Sequence, residues 1–143
     1  MTVVTNIDDV GKMLRKRGLE PNGRVQKYFT VRCAAEMDRY VPFQSGMLKN
    51  TRTIGSDSVK YNSPHARMMY YGKVMVDPKT GAAGFLTAEG WRSRKGVKKI
   101  VSTRDFNYNG APLRGKLWDI RMWATNKQKI ISGVAAMAGG TAK

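Results

Sequence analysis

At 143 residues, with 26 Lys and Arg against 10 Asp and Glu for a net charge of +16, the chain has the length of one strongly basic domain. Its 41% apolar content, with three Trp, six Tyr and four Phe, excludes a disordered basic tail, and no stretch approaches the ~18–20 apolar residues of a membrane helix. The lone cysteine, Cys33, excludes an internal disulfide framework and fits a reducing cytoplasm.

The first helix is predicted over residues 7–17. Asn6 caps it, Asp8 and Asp9 complement the positive end of its dipole, and Gly18 stops it. Ile7, Val10 and Leu14 share one face; the basic cluster at Lys12 and Arg15 to Arg17 complements the other end of the dipole. Nothing in the first nine residues resembles the basic, then apolar, pattern of a secretory signal. After the Pro21-Asn22 break a longer helix is expected over 23–40, with Val25, Phe29, Cys33, Met37 and Tyr40 as its core stripe. That places Cys33 as a buried, unreactive thiol. Pro42 ends the helix, because the residue before a proline avoids the helical region.

Residues 47–54 and 58–61 read as a hairpin with turns at Ser45-Gly46 and Gly55-Ser56-Asp57. A short helix follows over 65–71, begun at His65 and closed by Gly72, then a strand over 73–76 and the turn 77–81. Residues 82–115 look least regular, punctuated by glycines, with one strand expected at 97–102. The closing helix, over 117–138, should present Leu117, Ile120, Ala124, Ile131, Val134 and Ala138 to the core, with Trp118 and Met122 beside them. Gly133 in its middle suggests a kink or a close helix contact. These elements make a single α+β domain: an N-terminal arm (1–22), a core helix and hairpin (23–72), a long basic, hairpin-like excursion (73–116), and a C-terminal helix and tail (117–143). The helices are expected to pack on a small antiparallel, partly barrel-like sheet.

The chemistry-bearing residues are sparse. One His and one Cys cannot build a first-row metal site, the acids show no dyad spacing, and no glycine-rich phosphate loop is present. No catalytic residue, metal or cofactor is therefore expected. The concentrated feature is cationic: Arg92, Arg94, Lys95, Lys98 and Lys99, interleaved with Trp91 and followed by Phe106 and Tyr108. Such a run serves contact with an acidic protein, contact with nucleic acid, or simple solvation. The three aromatics are candidates for contact with a neighbouring subunit.

Two segments carry a resemblance. Residues 41–48, Val-Pro-Phe-Gln-Ser-Gly-Met-Leu, and residues 61–67, Tyr-Asn-Ser-Pro-His-Ala-Arg, with Tyr70-Tyr71-Gly72, resemble two motifs of the small neck proteins of long-tailed bacteriophages. Residues 90–99 and the closing helix extend the similarity to the minor capsid subgroup of phages and prophages of Gram-positive bacteria. Gln44 departs from it, standing where relatives often carry an acid. The motif positions Pro42, Ser45, Gly46, Leu48, Tyr61, Pro64, Ala66, Arg67, Tyr70, Tyr71 and Gly72 are read as determinants of fold and assembly. The resemblance implies a structural protein of the virion's head–tail junction, made in the host cytoplasm, with no membrane association. It further implies a homo-oligomeric ring, six-fold or twelve-fold, meeting connector or adaptor proteins and tail-tube or terminator proteins around packaged double-stranded DNA. A tail terminator or head-closure ring is the alternative within the virion, and a small basic nucleic-acid-binding module the alternative outside it.

Overall fold

The computed structural model describes residues 9–43 and 45–142. The expected Asn6 cap, the positions of Ile7 and Asp8, and Gln44 lie outside them. The first helix, α1 (Val10–Arg17), is stopped by Gly18 in the left-handed conformation at φ 71°, as the sequence indicates. Its apolar face is not buried: none of its residues is, and Val10 and Leu14 are exposed. The periodicity is that of an amphipathic helix, but none of the described residues covers it.

Helix α2 (Arg24–Met37) ends three residues before the expected limit, and Tyr40 lies in the turn beyond it. Val25, Ala34, Met37 and Tyr40 are buried, whereas Phe29 is exposed and Cys33 only half-buried. Burial still pushes the Cys33 thiol's pKa up, away from reactivity. Residues 47–50, expected as strand, form the helical turn α3 (Met47–Asn50), because Gly46 at φ 78° turns the chain directly into it. Only then does β1 (Arg52–Ile54) begin, pairing antiparallel with β2 (Val59–Tyr61). Helix α4 (Ala66–Tyr71) starts at His65 and is closed by left-handed Gly72.

The excursion holds more order than its glycines suggest. β3 (Lys73–Val76) pairs antiparallel with β6 (Ile100–Asp105), so the predicted strand starts three residues later than expected. Between them β4 (Phe85–Thr87) and β5 (Gly90–Arg92) form a hairpin that the irregular composition concealed. Among the described residues the sheet component is thus three separate two-stranded ribbons, which do not form the expected partial barrel. The α+β class stands; each ribbon pairs only with itself, so no strand order exists to close into a barrel wall.

Helix α5 (Trp118–Met137) runs against α2 in the opposite direction, Tyr28 meeting Gly133 and Tyr40 meeting Asn126. A Cβ at Gly133 would lie 3.1 Å from the Tyr28 hydroxyl, which is the close contact its sequence position suggested. The buried face is not the expected one. Trp118, Met122 and Ile130 face inward, while Ile120 is 58% exposed and Ala124 and Ile131 also look outward. The core gathers Met37, Tyr40, Val41, Leu48, Trp118, Met122 and Ile130.

One carboxylate is built into this helix pair. Glu36 is buried and accepts a 2.7 Å hydrogen bond from Lys129 Nζ, with Arg32 3.6 Å away. The Lys129 bond holds the Glu36 pKa below its ordinary value, against the opposing effect of burial. A lowered folded-state pKa contributes stability above the usual glutamate range and loses it as pH falls through the folded value. Acidification from pH 7 to pH 3 should therefore destabilise the wild type more than Glu36→Gln, measured as the shift in urea midpoint.

Candidate functional site

The two motif segments converge on one side of the core. Pro42 ends the chain's descent from α2 and is buried, and Gly46 turns it back; a Cβ there would sit 3.0 Å from the Phe43 ring in an already left-handed backbone. Leu48 enters the core, whereas Ser45 stays exposed. From the second segment, Pro64 and Arg67 face solvent and Ala66 packs against the core. Exposed His65 accepts a 3.0 Å backbone bond from Met69 N–H and begins α4, as its sequence position suggested.

The tyrosines organise Trp118. Its ring takes edge contacts from Tyr61 at 5.3 Å and Tyr70 at 5.0 Å, and Tyr70 in turn meets Tyr71 at 5.1 Å. The Tyr70 hydroxyl donates a 2.8 Å hydrogen bond to Asp119, and its pKa is pushed up to about 12 by burial first, then by that carboxylate. Tyr71 is exposed, and a Cβ on buried Gly72 would lie 3.1 Å from both the Lys116 side chain and the Tyr108 hydroxyl.

The two motif segments and residues 106–109 enclose a cleft of about 180 Å³, with Phe43, Met47, His65, Met69 and Tyr108 among its walls. Phe106 and Tyr108, candidates for a neighbour's contact, are half-buried here as an edge-to-face pair 5.1 Å apart, and the Tyr108 hydroxyl donates to Met69 O. Their rings serve this chain's own packing. Trp91 differs: it is 68% exposed and faces Leu86, itself 74% exposed, across the β4–β5 hairpin. Sequence reasoning missed Leu86, although Phe85-Leu86-Thr87 before a Gly90 turn is a hairpin signal.

The structure also sorts the cations. Arg92 is paired with Glu89 at 2.5 Å, and Arg94 lies 4.0 Å from buried Asp77. Lys99 donates to Ala83 O and, at 2.7 Å, to Ser93 Oγ. Among the described residues Lys95 and Lys98 have no acidic partner, and both are exposed. Four further acids are engaged within the chain: Glu36 with Lys129, Asp38 with Arg52 and Lys49, Asp105 with Lys73, and Asp119 with Tyr70. Among the described residues no group of three His, Cys, Asp or Glu side chains is placed to hold a metal ion, and no helix is long and apolar enough to cross a membrane.

What this arrangement offers is surface: a cleft walled by the motifs, a hairpin holding two apolar side chains outward, and a cationic exterior. No curated protein and no solved structure matches the chain. A family model described as minor capsid protein matches residues 2–138, which takes in both motifs, the excursion and the whole of α5. The chain belongs to the minor capsid protein family and is a structural protein of a phage virion.

Proposed function

We propose that the protein acts at the neck of the virion, as one subunit of a ring joining the DNA-filled capsid and portal side to the tail. The ring is six-fold, or twelve-fold, and surrounds the channel through which DNA passes; the role is structural and non-catalytic. The observation that carries this reading is the β4–β5 hairpin, which presents Leu86 and Trp91 to solvent. A two-stranded ribbon is marginal alone and gains stability when its apolar face is covered. A ring contact does this, because each subunit offers one surface to a different surface of the next. Neighbouring connector, adaptor, tail-tube or terminator proteins stack above and below. Lys95 and Lys98 are the two cations of the cluster most available to packaged DNA or to an acidic neighbour. The same features suit a tail terminator or head-closure ring, which differ only in the level occupied.

Imaging of intact virions carrying a tagged copy tests the location: label at the head–tail junction supports the proposal, and label spread over the shell overturns it. Excising residues 85–92 tests the mechanism. The hairpin's ends already meet, since a Cβ on Gly84 would lie 2.7 Å from Arg92 O, so the chain can be rejoined there. A wider excision reaching residue 112 would also remove β6 and Tyr108, and with them the partners of β3 and Met69. The shortened chain should keep its unfolding midpoint yet yield heads without tails; normal particles would count against the ring contact.

A further inference from the structure

The chain contains the pairs Asn22-Gly23 and Asn109-Gly110, and the fold treats them in opposite ways. An asparagine is chemically labile when the next amide nitrogen can reach its side-chain carbonyl carbon. Glycine as the next residue leaves that nitrogen open, because it has no Cβ to stand in the way. Hydrogen bonds to the asparagine side chain or to the glycine N–H, and a backbone held by packing, prevent the approach.

Asn22-Gly23 is restrained on every count. Ser56 Oγ donates a 2.5 Å hydrogen bond to Asn22 Oδ1, Asn22 N–H donates to Gln26 Oε1 at 2.8 Å, and Gly23 N–H donates to Glu20 O at 2.9 Å. Gly23 is also buried, with Gly18 O 2.6 Å from where a Cβ would stand. Asn62, which precedes the small Ser63, is held likewise: its Nδ2 donates to Thr51 O and to Thr53 Oγ1, both at 2.8 Å.

Asn109-Gly110 has none of these restraints. Both residues are exposed, and among the described residues neither the Asn109 side chain nor the Gly110 N–H has a hydrogen-bond partner. They form the crest of a short arch whose feet are fixed. On one side the Tyr108 hydroxyl donates to Met69 O; on the other Arg114 N–H donates to Ala111 O and the Arg114 guanidinium to Val41 O. Gly110 takes φ 119°, a conformation that residues with a Cβ rarely adopt. The turn therefore calls for glycine, and in doing so sets an open amide nitrogen beside an unrestrained asparagine.

We infer that Asn109 is a site of spontaneous deamidation. Gly110 N gives its proton to solvent base and attacks Asn109 Cγ; the N–Cγ bond forms, the Cγ–Nδ2 bond breaks, and the amide nitrogen takes a proton from water and leaves as ammonia. Water then opens the resulting succinimide at either carbonyl, leaving an aspartate or, with the main chain routed through the former side chain, an isoaspartate. Asn109 lines the cleft between the two motifs, and among the described residues no Asp, Glu, Lys or Arg lines it. The conversion puts a carboxylate on that wall. The inference is independent of the neck reading, since it needs neither ring nor partner.

The purified full chain, incubated in mildly alkaline buffer and mapped at intervals by peptide mass spectrometry, tests this. The peptide holding Asn109 should gain the mass difference between an acid and an amide and separate into aspartate and isoaspartate forms. The peptide holding Asn22 should convert about tenfold or more slowly, a factor equivalent to ~1.4 kcal/mol of local opening. In guanidinium chloride, where neither fold restraint survives, the two rates should converge. Asn107 shares a peptide with Asn109, so Asn109→Gln, whose ring closure is slower, should leave that peptide unconverted over the same period. Equal rates in the folded chain, a folded Asn109 that persists while the denatured one converts, a difference that survives denaturation, or conversion of the Asn109→Gln peptide would each overturn the inference.

Discussion

Trp118→Ala should cost about 3–5 kcal/mol of folding stability, the range for truncating a buried aromatic to alanine. Trp118 is 3% exposed and stands where the first turn of α5 meets the tyrosines of the second motif. Removing its indole leaves a cavity and takes from Tyr61 and Tyr70 the edge on which both rings pack. Asp119 is the next residue, so the Tyr70–Asp119 hydrogen bond also loses its buttress. Against a total of about 5–15 kcal/mol for a domain, this consumes a large share. The thermal midpoint should fall by roughly 10–20 °C. Trp118→Phe retains a ring between the tyrosines and should retain most of the stability. Denaturant titration followed by circular dichroism measures both; a loss below about 1 kcal/mol for Trp118→Ala, the level of an ordinary substitution, would remove Trp118 from the centre of the core.

Element type was legible wherever local chemistry decided it. Gly18, Gly46 and Gly72 stop or turn the chain in left-handed conformations that other residues adopt at a cost, and each marks the boundary its position implied. The α+β class followed from helices interspersed with short extended runs, and the family from two motifs, of which Leu48, Tyr61, Ala66 and Tyr70 pack in or against the core cluster that holds Trp118. What could not be read was which of two apolar faces a helix buries. Helix α5 carries Trp118, Met122 and Ile130 on one side and Ile120, Ala124 and Ile131 on another, and periodicity scores both. The choice is made by what α2 presents: Tyr28 packs closely against Gly133, and Tyr40 accepts a hydrogen bond from Asn126. The same limit applies to α1, whose stripe is amphipathic but covered by none of the described residues. Within the cationic run, spacing counted charges without showing that Arg92, Arg94 and Lys99 were already engaged. Long-range partners such as Asp77 and Ala83 are brought close only by the β3–β6 pairing.

Arg114→Ala should destabilise the protein by about 2–3 kcal/mol, more than any other cation of residues 92–116, though sequence alone gives it no distinction from the rest. Its guanidinium donates to Val41 O and, at 3.3 Å, to Asp38 O, and stands 5.0 Å from the centre of the Phe43 ring. These carbonyls follow the end of α2, where the helix leaves acceptors without intrahelical donors and its dipole favours a cation. Beside it, Gly115 N–H donates 3.0 Å to Tyr40 O, so two adjacent residues pin the returning excursion to the end of α2. Hydrogen bonds from a charged group contribute about 1.5–3 kcal/mol, and the ring contact about 0.5–1 more. The alanine variant should also expose residues 106–116 to limited proteolysis at a rate above that of the wild type. Both bonds come from one nitrogen, Nη1, while the guanidinium carbon lies over the Phe43 ring; Arg114→Lys keeps a charged donor but gives up the planar group over the ring, so it should restore only part of the loss. A lysine variant as stable as the wild type would mean that charge near the helix end, and not the planar guanidinium, holds the excursion in place.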